Sequence, residues 1–269
     1  MDKVISIEQI LEFITEIKNL HKGFITNFYL DEFKHNIWIQ KEHFFYERVN
    51  NTFFLIKKDK CFCNMFYCST DMNELENSLK LFKLANGDII IMTDIIGNIN
   101  QCKIINSIFF RNGFREYRSL VRMSKITQKD YTEVVNDHVG FANRCDTTQV
   151  FDLLNKHFDS RCEQIPYLEE LEEFAKNKRI LLFKENKDVL GFVIFEMNKS
   201  TLYLRYWFVH PENRDKKIGS LLLNRFFNEG KDTRRQLFWV ISDNKNAIKR
   251  YVHYGFNNEN MYDYVLTNK

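Results

Sequence analysis

Between His210 and Phe227 the chain reads HPENRDKKIGSLLLNRFF. Arg214, Lys216 and Lys217 stand just before an apolar run with helical spacing, and Gly219 falls in its first turn. The chemistry open to such a stretch is anion binding. Amides at a helix N-terminus have no intrahelical partner, and the helix dipole adds partial positive charge there. The three basic side chains supply formal charge, and Gly219 has no Cβ to obstruct a ligand at the first turn. The plain alternative is a solvated helix start, so the elements around the stretch decide its meaning.

Those elements are a strand and a helix. TLYLRYWFV, Thr201 to Val209, is rich in aromatic and β-branched residues and reads as a strand. Ile218, Leu221, Leu222, Leu223, Phe226 and Phe227 recur near helical spacing. Upstream, RILLFKE and DVLGFVIFEM read as strands, and helices are expected near 129–138, 147–158 and 167–177. Downstream follow strand QLFWVIS, helix NKNAIKRYVHY and strand MYDYVL. The first half reads as helix 7–20, strands in GFITNFYLD and in FFYERVNNTFFLIKKDKCFCNMFYC, helix 73–84, strand GDIIIMTDI, helix 101–111 and strand FREYRSLVRM. Helices alternating with buried strands give a mixed α/β fold.

The element order repeats. Gly113-Phe114 and Gly255-Phe256 lie 142 residues apart, each after a helix that follows a buried strand, and each before a final strand. The chain therefore reads as two similar halves, 1–125 and 126–269, without a Pro-rich or Gly/Ser-rich linker.

Composition narrows the function classes. With 269 residues, 44% hydrophobic and 28% charged, there is material for substantial cores. A net charge of only +3 argues against broad nucleic-acid binding, which needs a basic face. No apolar run is long enough to span a bilayer, and the first twenty residues carry Glu8, Glu12 and Glu16 rather than an export signal, so no membrane partner and a cytoplasmic location are expected. Cys61, Cys63 and Cys68 form no Cys-x-x-Cys pair and have no nearby His. Cys61 and Cys63 alternate with Phe62 as strand residues do, so buried reduced thiols are expected and no metal.

The second half resembles the GNAT acetyltransferase superfamily, whose members transfer an acyl group from coenzyme A to an amine. The resemblance rests on VHPENRDKKIGSLLL, Val209 to Leu223, and NKNAIKRYVHYGF, Asn244 to Phe256. The first is similar to the family's pyrophosphate loop, Arg/Gln-x-x-Gly-x-Gly/Ala, here Arg214-x-x-Lys217-x-Gly219, with lysine in place of the first glycine. A helix-first-turn backbone is not expected to need positive φ at that lysine. The second stretch fits Asn-x-x-Ala-x-x-x-Tyr-x-x-x-Gly-Phe at Asn244, Ala247, Tyr251, Gly255 and Phe256. The clear resemblance covers about 178–266. It implies that acetyl-CoA is the cosubstrate and that Arg214, Asp215, Lys216, Lys217, Ile218, Gly219 and Ser220 surround its pyrophosphate. The pantetheine arm would lie along the strand ending at Phe208 and Val209, in a splay between it and QLFWVIS. Asn244 and Ala247 would border the arm. Tyr251 would stand near the sulfur, where a phenol of ordinary pKa about 10 can donate a proton to the departing thiolate.

The first half lacks these features. At the offset of 142, Tyr251 corresponds to Phe109, Asn244 to Cys102 and Ala247 to Ile105, and Glu74 and Glu76 stand where phosphate would sit. It looks like a degenerate GNAT-like fold, as the tandem arrangement known in the family accommodates. For the base, Glu196, at the end of GFVIFEM, leads, with Tyr206 and His210 behind it. The acceptor is expected to be a small-molecule or peptide amine attacking directly in a ternary complex. Two other readings are a non-catalytic coenzyme A-binding scaffold and an aminoacyl-transferase of the peptide-bridge type. The coenzyme loop disfavours the aminoacyl-transferase, and retention of Asn244 and Tyr251 disfavours the scaffold.

Overall fold

A computed structural model describes residues 1–86, 88–127, 136–198 and 200–269 of the chain. It divides into two compact units, of which the second is continuous in sequence and the first is not. Unit 1 is Met1–Leu120 together with Asn260–Lys269, and unit 2 is Val121–Glu259. The chain's last ten residues thus belong with its first hundred and twenty. The helix expected at 129–138 falls mostly on residues outside those described.

In unit 1 the elements run β1 (Asp2–Lys3), α1 (Ile7–Asn19), β2 (Ile25–Thr26), α2 (Glu32–Gln40), β3 (Phe44–Val49), β4 (Thr52–Lys58), β5 (Cys63–Ser69), α3 (Met72–Asn86), β6 (Ile91–Asn98), α4 (Ile99–Arg111) and the start of β7 (Arg115–Ile126). Strands β1, β3, β4, β5 and β6 lie side by side in that order, and β2 adds to β5. Beyond β6 lies the C-terminal strand, whose Met261–Thr267 pair antiparallel with Met92–Asn98. Every residue of β5 is buried, as suits a strand covered on both faces. The core gathers Phe54, Met65, Tyr67, Leu79, Phe82 and Phe109.

Two expectations fail in this unit. GFITNFYLD yields only the two-residue β2, and the next nine residues form the unexpected helix α2, capped by Asp31, whose carboxylate accepts from the Lys34 amide at 3.0 Å. Cys61 is exposed in the turn before β5 rather than buried in the strand, while Cys63, Cys68 and Cys102 are buried.

Unit 2 holds the second part of β7, then β8 (Val139–Phe141), α5 (Thr147–His157), α6 (Leu168–Lys176), β9 (Ile180–Glu185), β10 (Asp188–Met197), β11 (Thr201–Val209), α7 (Ile218–Glu229), β12 (Arg235–Ile241), α8 (Lys245–His253) and the start of β13 (Asn257–Thr267). The sheet order is β7, β12, β11, β10, β9, β8. Strand β8 was not expected from sequence; three residues give too little pattern to read. Strands β9, β10 and β11 pair antiparallel, whereas β11 and β12 run parallel, as the helix α7 between them requires. Among the described residues no helix is long and apolar enough to cross a membrane.

Candidate active site

Two irregularities in β11 open the site. The first is a bulge. Ile194 of β10 lies opposite Tyr206, and the next residue, Phe195, lies opposite Leu204, so Arg205 is an extra residue with no partner of its own. The second is a splay. Parallel pairing with β12 covers only Thr201–Tyr203 against Arg235–Leu237. Beyond Tyr203 the strands part, and a cavity of about 640 Å³ lies between them, lined by Leu204–Val209 and Phe238–Ile241. The edge of β11 facing β12 therefore keeps main-chain donors and acceptors that no strand takes up.

At the open end of the splay stands α7. No side chain caps its N-terminus. Lys217, its N-cap, has φ +59°, in the left-handed region. This overturns the expectation for that position: the backbone does take positive φ where the family carries glycine, and here a lysine bears it. Gly219 also acts differently from the expectation. A Cβ there would meet Trp207 Cζ2 at 2.8 Å and Val209 Cγ2 at 3.4 Å. The missing side chain lets α7 lie close on β11 rather than clearing space for a ligand.

The structure brings together Phe208, Val209, Arg214, Asn244, Ala247 and Tyr251, all lining the cavity. The Asn244 Oδ1 accepts from the Ala247 amide at 3.1 Å, so its carbonyl caps α8. Tyr251 packs on Phe238, with ring centroids 4.0 Å apart, and on Trp207 at 5.6 Å. Burial raises its phenol well above the usual tyrosine range, so it is protonated at neutral pH.

Of the remaining expected residues only Tyr206 belongs to the lining. Asp215, Lys216 and Lys217 are exposed on the loop, and Lys216 Nζ is 3.8 Å from Glu185. Ile218 is fully buried, and Ser220 Oγ meets the Tyr254 hydroxyl at 3.1 Å. Glu196 is not brought into the cavity either. Its carboxylate accepts from Arg205 Nη1 at 3.0 Å, because the bulge turns that guanidinium toward the end of β10. Tyr206 is a strut: its hydroxyl donates to the Glu163 and Gln164 carbonyls at 2.6 and 2.9 Å and ties down the loop between α5 and α6. His210 has a buried Nδ1 without a partner. Sequence reasoning passed over Arg205, Trp207, Trp239 and Arg250 of the lining; no motif marks them, the bulge and the splay expose the first three to the cavity, and α8 carries Arg250.

In unit 1 the corresponding positions are filled by the chain itself. Helix α3 is capped: Asp71 Oδ1 accepts from the Asn73 and Glu74 amides at 2.9 and 3.0 Å. The parallel pairing of β5 with β6 ends after Cys63↔Ile91 and Asn64↔Met92, a splay like the one in unit 2. Into it comes β2, whose Ile25 and Thr26 pair with Ser69 and Cys68. Asn27 then bridges the gap, accepting from the Tyr67 amide at 2.7 Å and donating to the Asp94 carbonyl at 2.9 Å. Phe109, in the place of Tyr251, is fully buried in the core.

The repeat is nonetheless plain in the backbone. Gly113 and Gly255 have φ +76° and +83°. Phe114 and Phe256 donate to the carbonyls of Phe109 and Tyr251, and the two glycines to those of Phe110 and Val252, so α4 and α8 end in the same Schellman motif 142 residues apart.

A splayed parallel strand pair with a bulged first strand, a helix start at its open end and a second copy of the architecture define a GNAT-like fold. Residues 147–256 match the family model for the acetyltransferase (GNAT) family. Solved structures agree over most of the chain. A Drosophila protein solved by a structural genomics consortium aligns with a TM-score of 0.59 and 14% identity over 97% of each chain. An acetyltransferase of the GNAT family from Colwellia psychrerythraea gives 0.54 and 12% over 96% of each. A tandem GNAT protein from the clavulanic acid biosynthesis pathway gives 0.55 and 10%, over 80% of this chain and 78% of that one. At such identities the likeness is one of fold. No curated protein matches the sequence.

Proposed function

We propose that unit 2 is an acyl-CoA-dependent N-acyltransferase that moves an acetyl group from acetyl-CoA to an amine. The observation that carries this reading is the contrast between the two splays: the one between β11 and β12 is an open cavity beside an uncapped helix start, and the one between β5 and β6 is closed by β2, Asn27 and Asp71. The residues fit the cosubstrate. The first amides of α7, with Arg214, suit its pyrophosphate. The unpaired edge of β11 offers main-chain partners to the amides of an extended pantetheine arm, and Asn244 keeps its amide nitrogen for the same purpose.

Acetyl-CoA supplies an activated thioester. The amine nitrogen bonds to the acyl carbon, the carbon–sulfur bond breaks, and the nitrogen's proton passes to solvent through the open cavity. Tyr251 is protonated and lines the cavity, and its role is to give the departing sulfur a proton. Glu196 is not assigned the base's role, since its carboxylate is engaged by Arg205 and is not part of the lining. Calorimetric titration with acetyl-CoA tests the reading: one site per chain is expected, lost on Arg214→Glu, with thiol release when an accepted amine is added. Absence of binding, or two equivalent sites, overturns it.

A further inference from the structure

We infer that Arg205 selects an acceptor amine that carries a carboxylate. The inference rests on the transferase reading of unit 2 and extends it to the acceptor. The bulge decides where this side chain points. Before it, Leu202 faces α7, packing against Gly230 so closely that no Cβ would fit there. After it, Tyr206 belongs to the cluster of Val150, Leu154 and Leu171 on the opposite face of the sheet. Strict alternation from Leu202 would put Tyr206 on the α7 face, so the extra residue, Arg205, shares the α5–α6 face with Tyr206. The guanidinium carbon lies 5.5 and 6.0 Å from the Tyr203 and Tyr206 ring centroids, as that placement requires.

Arg205 thus stands two residues beyond the last paired residue, Tyr203, at the narrow end of the splay, where the acyl end of an arm entering from α7 arrives. Four strand residues, about 13 Å, separate it from Val209. The phosphates at α7 are out of its reach and have Arg214 and the helix start instead. Glu196 takes one of the five guanidinium hydrogens and Tyr206 engages another, and the side chain remains 23% exposed in the cavity wall. A planar fork with free donors beside the acyl position recognises a carboxylate best, two oxygens at a time. Among the described residues the lining contains one acidic residue, Glu163, whose Oε2 accepts from the Asp159 amide at 2.9 Å.

The test uses the whole chain with acetyl-CoA and a set of paired amines: glycine, alanine, glutamate and phenylalanine, each beside its α-amide, with phosphoethanolamine as a second kind of acid. Thiol release should favour a carboxylate over its amide by about tenfold or more in kcat/KM. Arg205→Gln should reduce that ratio about tenfold to a hundredfold, mainly through KM, and Arg205→Lys should restore part of it. Amides used as well as acids, phosphoethanolamine preferred, or a ratio unmoved by Arg205→Gln would overturn the inference. If no amine turns over, quenching of Trp207 and Trp239 in the presence of coenzyme A reads N-acetylglycine against N-acetylglycinamide, and equal binding would again overturn it. The coenzyme titration separates the two levels, since a protein that binds no acetyl-CoA refutes the transferase reading before Arg205 is reached.

Discussion

Lys217 holds a left-handed backbone that glycine adopts without strain. A residue with a Cβ in that region is disfavoured by roughly 1–2 kcal/mol. Lys217→Gly should therefore stabilise unit 2 by about 1 kcal/mol, partly offset by the added freedom of the unfolded chain, and raise its melting temperature by about 2–4 °C. Thermal unfolding followed by circular dichroism checks this, and a lowered midpoint would show that the lysine side chain stabilises the loop by more than its backbone strains it. Tyr251→Phe keeps the ring on Phe238 and removes only the hydroxyl. Turnover should fall about tenfold to a hundredfold, at the low end for acid catalysis because a thiolate of pKa about 8.5 departs tolerably without help. Coenzyme affinity should stay within about twofold to threefold. Collapse of binding together with turnover would make the hydroxyl a binding contact. At this scale the Asn244, Ala247, Tyr251 series was legible through its resemblance to the GNAT pattern Asn-x-x-Ala-x-x-x-Tyr. Arg205 was not legible: it reads as a strand arginine, and the register slip that turns it into the cavity depends on how β10 pairs with β11.

Among the elements, the plug in unit 1 is held by few atoms. Asn27 joins β5 to β6 through one accepted and two donated hydrogen bonds, the second donated one going to Thr93 Oγ1 at 3.1 Å. Asn27→Ala leaves the Tyr67 amide and the Asp94 carbonyl without this partner. It should destabilise unit 1 by about 1–3 kcal/mol in urea unfolding. It should create no second acetyl-CoA site, because Asp71 still caps α3 and Phe109 still fills the place of the acid. A second site in calorimetry would show that Asn27 alone closes the cleft. The long strands and amphipathic helices were readable from their periods, and the Gly-Phe ends of α4 and α8 from their spacing. Helix α2 was hidden because His35, Ile37 and Trp38 are its buried residues and make no apolar stripe of helical period. Strand β2 was hidden because its partner, the free edge of β5, exists only where β5 and β6 part.

For the molecule as a whole, unit 1 carries a built-in acid sensitivity. His35 is buried between Phe28, Trp38 and Phe44, and its Nδ1 accepts from the Asp31 amide at 3.0 Å. Burial, helped by Lys34 and opposed by Asp31, lowers its pKa from 6.5 to about 4. Between those values the unfolded chain binds the proton and the folded one does not. The stability from keeping His35 neutral is fully present above pH 6.5 and is lost as pH falls toward 4, a span of about 3 kcal/mol. Urea unfolding of unit 1 at several pH values should show this slope, and His35→Phe should flatten it. An unchanged slope would place the proton uptake elsewhere.

The division into Met1–Leu120 with Asn260–Lys269, and Val121–Glu259, also has a consequence for synthesis. A growing chain normally completes its domains in the order in which they leave the ribosome. Here that order is reversed. Unit 2 has all its strands once Glu259 has emerged, while the sheet of unit 1 still lacks the strand that pairs with β6. The half made first is finished last, and until then β6 exposes an open edge of the kind that invites wrong partners. Chains stalled so that residue 259 has just cleared the exit tunnel should give a protease-resistant unit 2 and a protease-sensitive unit 1, and release of ten further residues should protect both. Protection of unit 1 in the shorter chain would mean that its sheet closes without the late strand.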